Sequence, residues 1–76
     1  MIKIEMTDTF GGDANYSWVK RMKIEDDKLT NRQILKKIRD EFELGKTKLV
    51  KVLDTGDMLR YDLSGYCQCI FIMWEY

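Results

Sequence analysis

Two cysteines are the most reactive side chains in this sequence. Cys67 and Cys69 are separated by one residue in a strongly apolar segment, so on a strand both would lie on the same face. The chain has no histidine, the commonest metal ligand and general base, and nothing else supplies the ligands that a zinc site requires. We therefore interpret both cysteines as buried structural thiols and predict neither a metal nor a cofactor.

Clustered carboxylates are the second candidate for chemistry, as a hydrolytic pair or a divalent-metal cluster. Residues 25–27 form an acidic run just before a predicted helix, where negative charge interacts favourably with the helix dipole. Asp54 and Asp57 flank Thr55-Gly56 in a pattern typical of a tight turn. Without a histidine, a nucleophile elbow or a phosphate loop, we predict that the protein is not an enzyme, and no catalytic residue is assigned.

Basic and aromatic residues indicate binding. Tyr16 and Trp18 precede Lys20 and Arg21 on a predicted strand, and exposed aromatic residues next to arginine are frequent in protein–protein hot spots. A second basic group recurs at helical spacing and consists of Arg32, Lys36 and Arg39. The alternative interpretations are a sheet coiled tightly enough to bury the aromatic rings, and a solvated helix face balanced by Asp40, Glu41 and Glu43.

The segment from Asp8 to Asn15 contains turn-forming residues and predicts a long, glycine-rich hairpin loop. Irregular loops on a rigid sheet commonly carry binding residues. The predicted partner-binding residues are Phe10, Asp13, Asn15, Tyr16, Trp18, Lys20, Arg21, Arg32, Lys36 and Arg39.

Composition limits the class of partner. The chain has 76 residues, enough for one domain, 1–76, and its 13 basic residues balance 13 acidic ones. It therefore lacks both the basic excess usual for nucleic-acid binding and the acidic excess of a DNA mimic. No apolar segment is long enough to span a bilayer, and no signal peptide is evident. Free thiols favour a cytoplasmic location.

The elements that must position these residues follow from hydrophobic periodicity. Ile2, Ile4 and Met6 alternate with polar residues, as in a half-buried strand. A second strand is predicted from Tyr16 to Glu25. Thr30 with Gln33 matches a capping box and predicts a helix start. The apolar stripe of that helix is Ile34, Leu35, Ile38 and Phe42, and Gly45 is the expected left-handed residue at its end.

Strands are predicted again after the helix, at 47–53, 58–63 and 66–76. The last of these is apolar on both faces, which places it in the middle of the sheet. The predicted fold class is α+β, a five-stranded antiparallel sheet in the order β-β-α-β-β-β with one helix packed on one face.

The segment Thr7-Asp-Thr-Phe-Gly-Gly-Asp-Ala-Asn-Tyr-Ser-Trp-Val-Lys-Arg21, together with Gly56-Asp57-Met58 and the cysteine pair, resembles a group of small uncharacterised proteins encoded by bacteriophages and other mobile elements. The similarity extends over most of the chain. No agreed function belongs to that group, so it supplies no functional residues. It implies a setting in a host bacterial cell and a role in binding a host protein, often a CRISPR or other defence effector.

The functional hypothesis is an accessory protein that binds and inhibits a host defence complex by surface occlusion, as an anti-CRISPR protein does. The alternatives are a small nucleic-acid-binding module that uses the basic helix stripe and sheet aromatics, and a structural homodimer formed through an exposed sheet edge.

Overall fold

Two β-hairpins, a helix between them and a closing central strand make up the fold. The computed structural model describes residues 1–26 and 28–75. The elements are β1 (Ile2–Phe10), β2 (Asp13–Ile24), α1 (Asn31–Glu41), β3 (Leu49–Asp54), β4 (Met58–Leu63) and β5 (Gln68–Trp74). All neighbouring strands are antiparallel, in the order β2-β1-β5-β4-β3. The predicted fold class is confirmed.

Strand β5 is the middle strand, as its two-sided apolar pattern predicts. It pairs with β1 on one side and with β4 on the other. Ile70 and Ile72 point towards α1 and are buried, and Cys69 is buried on the opposite face. On that opposite face Phe71 and Met73 are only partly buried, so β5 is central through its pairing on both edges, and only the face towards α1 is fully covered.

The core lies between α1 and the three central strands. The helix contributes Ile34 and Ile38, which are fully buried. From the sheet, the buried residues on this side are Ile2, Ile4, Met6, Ile24, Leu59, Tyr61, Leu63, Ile70 and Ile72. Within the described part of the chain, no helix is long and apolar enough to cross a lipid bilayer.

Both ends of α1 have defined caps. The Thr30 hydroxyl accepts from Gln33 N, and the Gln33 side chain accepts from Thr30 N, so the predicted capping box is confirmed. At the other end the prediction for Gly45 is wrong. Glu43 is the left-handed residue after the Phe42 cap, with φ 55°, and Leu44 N donates to Arg39 O across it. Gly45 also has positive φ, two residues further on.

The long loop predicted from Asp8 to Asn15 is not present. Strand β1 continues to Phe10, and Gly11 and Gly12, both with positive φ, form a tight turn into β2. The irregularity lies inside β2, where Thr7 pairs with Val19 but Thr9 pairs with Ala14. Four residues of β2, 15–18, therefore lie opposite the single residue Asp8 and form an irregular bulge. The prediction missed it because the glycines were assigned to a loop instead of a turn.

Strand β5 begins two residues later than predicted, and this changes the interpretation of the cysteines. Tyr66 and Cys67 lie in the turn before β5, and Cys67 is exposed, so its prediction as a buried thiol is wrong. Cys69 is buried, as predicted, and burial raises the pKa of its thiol. Tyr76, which the predicted strand included, lies outside the described residues.

Candidate functional site

Exposed aromatic side chains collect at one end of the sheet. Phe10, Tyr16, Trp18 and Tyr66 are 80%, 53%, 36% and 61% exposed, although rings of this size are usually buried in a small domain. They come from the end of β1, the start of β2 and the turn before β5, and β1 runs antiparallel to both β2 and β5. Antiparallel pairing therefore brings these segments together. We call these four residues the aromatic end.

The buried hydroxyl of Thr7 holds the β2 bulge in place. It donates to Trp18 O at 2.8 Å and accepts from Tyr16 N at 3.1 Å. The bulge places Tyr16 at φ 55°, a conformation that costs a non-glycine residue about 1–2 kcal/mol. Thr7 thus satisfies backbone groups that the interrupted ladder between β1 and β2 leaves without strand partners.

The carboxylate of Asp8 fixes the same bulge from the other side of β1. Its Oδ1 accepts from Ser17 N at 3.0 Å and its Oδ2 accepts from Asn15 Nδ2 at 2.9 Å. Hydrogen bonds from Ser17 and then from Asn15 stabilise the ionised form and lower the pKa of Asp8 to about 2. The bulge is therefore held by an acid that is ionised throughout the physiological pH range.

A groove of about 480 Å³ opens beside Trp18. The C-terminal end of α1 contributes Phe42 and Leu44 to one wall, while Trp18 and Tyr66 stand on the sheet side. Lys20 and Glu43 add one charge of each sign to the lining. A groove that combines aromatic walls with charged and polar groups is suited to receiving a side chain from another molecule.

Arg60 ties the tip of the first hairpin to the face of the sheet that α1 leaves uncovered. Its Nη2 donates to Gly12 O at 2.8 Å, and its Nε donates to Asp62 Oδ1 at 3.0 Å. The guanidinium carbon lies 5.7 Å from the centre of the Phe71 ring. These contacts hold the turn between β1 and β2 in one position relative to the central strands.

The predicted partner-binding residues are divided among three surfaces. Phe10, Asp13, Asn15 and Tyr16 lie at the hairpin tip and bulge, at the end of the sheet where Trp18 and Lys20 line the groove, but none of the four lines it. Arg21 lies on the other face, opposite Glu5, and its Nε is 3.3 Å from Glu5 Oε1. Strand alternation places Arg21 there, so it does not join the aromatic end.

The basic helix residues form a separate surface. Arg32, Lys36 and Arg39 line a groove of about 640 Å³ on one flank of α1. Arg39 is partly committed to the fold, because its Nη1 donates to Gly45 O and Thr47 O in the connection to β3. This flank does not share lining residues with the groove beside Trp18.

Tyr66 belongs to the candidate site, and sequence reasoning missed it by placing it inside a strand. The preceding Ser64-Gly65 pair is a turn signal that could have placed Tyr66 outside the strand. Two other aromatic residues of the sheet are packed against the core. Tyr61 is buried beneath α1, and Trp74 packs against the edge of the core.

Of the candidate carboxylates, Asp27 lies outside the described residues. Among residues 1–26 and 28–75, no three side chains of the metal-binding types lie close enough together to hold an ion. Asp54 acts in its turn, where its Oδ1 accepts from Gly56 N at 3.0 Å.

The chain matches no family model, no curated protein and no solved structure.

Proposed function

We propose that this protein is a non-catalytic binding protein that uses the aromatic end to cover a surface of a protein partner. The observation that carries the proposal is the grouping of exposed Phe10, Tyr16, Trp18 and Tyr66 at one end of the sheet. Tyrosine and tryptophan are the residues most enriched in protein–protein hot spots.

The aromatic end is also pre-organised. Thr7 and Asp8 hold the bulge that presents Tyr16 and Trp18, and Arg60 holds the neighbouring turn. Binding therefore requires little ordering of the backbone, which lowers the entropic cost of association. The groove offers aromatic walls for an apolar partner side chain, and Lys20 and Glu43 for polar groups beside it.

The resemblance to bacteriophage and mobile-element proteins suggests which partner this is. We propose a host defence effector, such as a CRISPR complex in the bacterial cytoplasm, that is inhibited when the bound protein occludes a working surface. This part of the proposal depends on the resemblance, whereas the binding surface depends on the aromatic end.

Size-exclusion chromatography and target-cleavage assays with purified CRISPR effectors of each type test the proposal. We expect the wild-type protein to co-elute with one effector and to reduce its cleavage. Trp18→Ala and Tyr66→Ala should each weaken that complex by about 30-fold or more, the effect of losing a hot-spot residue.

Val52→Ala is the matched control, because Val52 is an exposed apolar residue on the edge strand β3. It should leave binding unchanged. Cleavage that stays unaltered for every effector type would exclude CRISPR inhibition. Binding that Val52→Ala weakens and Trp18→Ala leaves intact would exclude the aromatic end as the binding surface.

A further inference from the structure

The strongest remaining feature is the basic groove on the flank of α1. Its lining residues are Arg32, Gln33, Leu35, Lys36 and Arg39, which include three cations and no carboxylate. Arg39 bonds to Thr47 O, so this flank faces the connection that leads into β3.

The acidic residues near the end of the helix line other grooves, although Asp40 lies one helical turn beyond Lys36. Asp40 and Glu41 line a different groove, next to the end of β2, and Glu43 lines the groove beside Trp18. Among the described residues, no carboxylate forms an ion pair with Arg32, Lys36 or Arg39. In a chain with no net charge, three cations therefore line one groove that has no carboxylate in its lining.

The spacing of these cations suits a chain of phosphates. A helical rise of about 1.5 Å per residue places Lys36 about 6 Å beyond Arg32 along the axis, and Arg39 about 4.5 Å beyond Lys36. The guanidinium of Arg39 donates to two backbone carbonyls, which hold it in position. Because carbonyls are uncharged, they do not neutralise its positive charge. Arginine matches the geometry of phosphate oxygens, and Leu35 in the lining offers apolar contact for a sugar or base.

We propose that this basic flank binds the sugar–phosphate backbone of single-stranded nucleic acid. Two or three successive phosphates would contact Arg32, Lys36 and Arg39. Recognition through phosphates is independent of base identity and of the 2′-hydroxyl, so DNA and RNA should bind alike. The basic flank is separate from the aromatic end, and this proposal stands whether or not a protein partner is found there.

Fluorescence anisotropy with labelled oligo-dT and oligo-U of about 12 nucleotides tests the proposal. We expect both to bind at about 50 mM salt, with a slope of log affinity against log salt near −2. Arg32→Ala and Lys36→Ala should each weaken binding about three- to tenfold and reduce the slope by about 0.7. Arg39 is left unchanged because it supports the fold.

Lys37→Ala is the matched control. Lys37 is the next residue along and carries the same charge, but it lines the groove on the other flank together with Asp40 and Glu41. It should leave oligonucleotide affinity within twofold of wild type, whereas Lys36→Ala should not. Equal losses for the two variants would show that only overall charge matters and would overturn the proposal.

Two further outcomes would also overturn it. If no oligonucleotide binds at about 50 mM salt, the basic flank does not bind phosphates. If poly-glutamate binds, Lys36→Ala weakens that binding and no oligonucleotide binds, the partner of the flank is an acidic protein and not a nucleic acid. Trp18→Ala tests whether the two surfaces are independent. It should leave oligonucleotide binding unchanged even if it abolishes binding to a protein.

Discussion

The centre of the sheet and the aromatic end use large apolar side chains in opposite ways. At the centre, Ile70 and Ile72 of β5 are buried between α1 and the neighbouring strands. At the aromatic end, Tyr66 and Trp18 remain exposed although they are just as able to drive burial. The difference indicates that the centre supplies stability and that the aromatic end is available for binding.

The two regions are also held together by different kinds of contact. The centre is held by strand pairing and apolar packing, with Cys69 as a buried thiol on the face away from α1. The aromatic end is held by hydrogen bonds from Thr7 and Asp8 to a distorted backbone. Strained backbone that is held by specific side chains is more common at functional sites than in packing regions.

The largest expected effect is a loss of stability when a buried residue at the centre is truncated. Ile70→Ala should cost about 3–5 kcal/mol of unfolding free energy, since it removes a fully buried side chain from the core. A domain of this size has about 3–5 kcal/mol in total, so the variant should be largely unfolded. Far-UV circular dichroism with thermal denaturation measures this. Tyr66→Ala is the control at the aromatic end and should remain folded; equal loss in both variants would contradict the comparison.

Thr7→Val tests whether the bulge depends on one hydroxyl. The change preserves shape but leaves Tyr16 N and Trp18 O without their partner, which should cost about 1–3 kcal/mol. Urea denaturation measures the loss. Thr9→Val, on the same face of the same strand, should have a smaller effect. Similar values for the two variants would show that the Thr7 hydrogen bonds contribute nothing specific.

Glu43→Gly should stabilise the protein by about 1 kcal/mol, because Glu43 adopts the left-handed conformation that glycine accepts without strain. The expected result is a higher melting temperature. Glu41→Gly, inside the last turn of α1, should lower it by a comparable amount. A lower melting temperature for Glu43→Gly would show that the side chain of Glu43 makes a contribution that outweighs its backbone strain.

The smallest effect concerns the pH dependence of Asp8. Its pKa is lowered from 3.8 to about 2, so the ionised form is favoured in the folded protein. Its stabilising contribution is complete above the unfolded pKa of about 3.9 and is lost as the pH falls through about 2. An NMR titration of the Asp8 carboxyl should show this low pKa, and Asn15→Ala should raise it. A wild-type value near 3.8 would contradict the hydrogen bonds that hold the bulge.

Local patterns were sufficient to predict much of the fold. The capping box at Thr30 and the apolar stripe of α1 depend on residues close in sequence. The central place of β5 could be predicted because its segment is apolar at successive positions, as is typical of a strand in the middle of a sheet.

The features that sequence reasoning missed depend on contacts between distant residues. The bulge at Tyr16 requires Thr7 and Asp8 from the neighbouring strand, so no local pattern marks it. The left-handed residue at the end of the helix is a local exception, since Phe42 is the cap and Glu43 follows it directly, two residues before Gly45. Membership of Tyr66 in the aromatic end depends on how β5 aligns with β1, since Thr9 N donates to Cys67 O.

Amide hydrogen exchange tests the division between centre and aromatic end most directly. It is measured on the wild-type protein alone and in complex with the effector that co-elutes with it. Binding at the aromatic end predicts new protection in residues 10–18 and 64–68, while 70–72 at the centre, already protected by pairing with β1 and β4, stay unchanged. New protection confined to the edge strand β3, with none at the aromatic end, would contradict it.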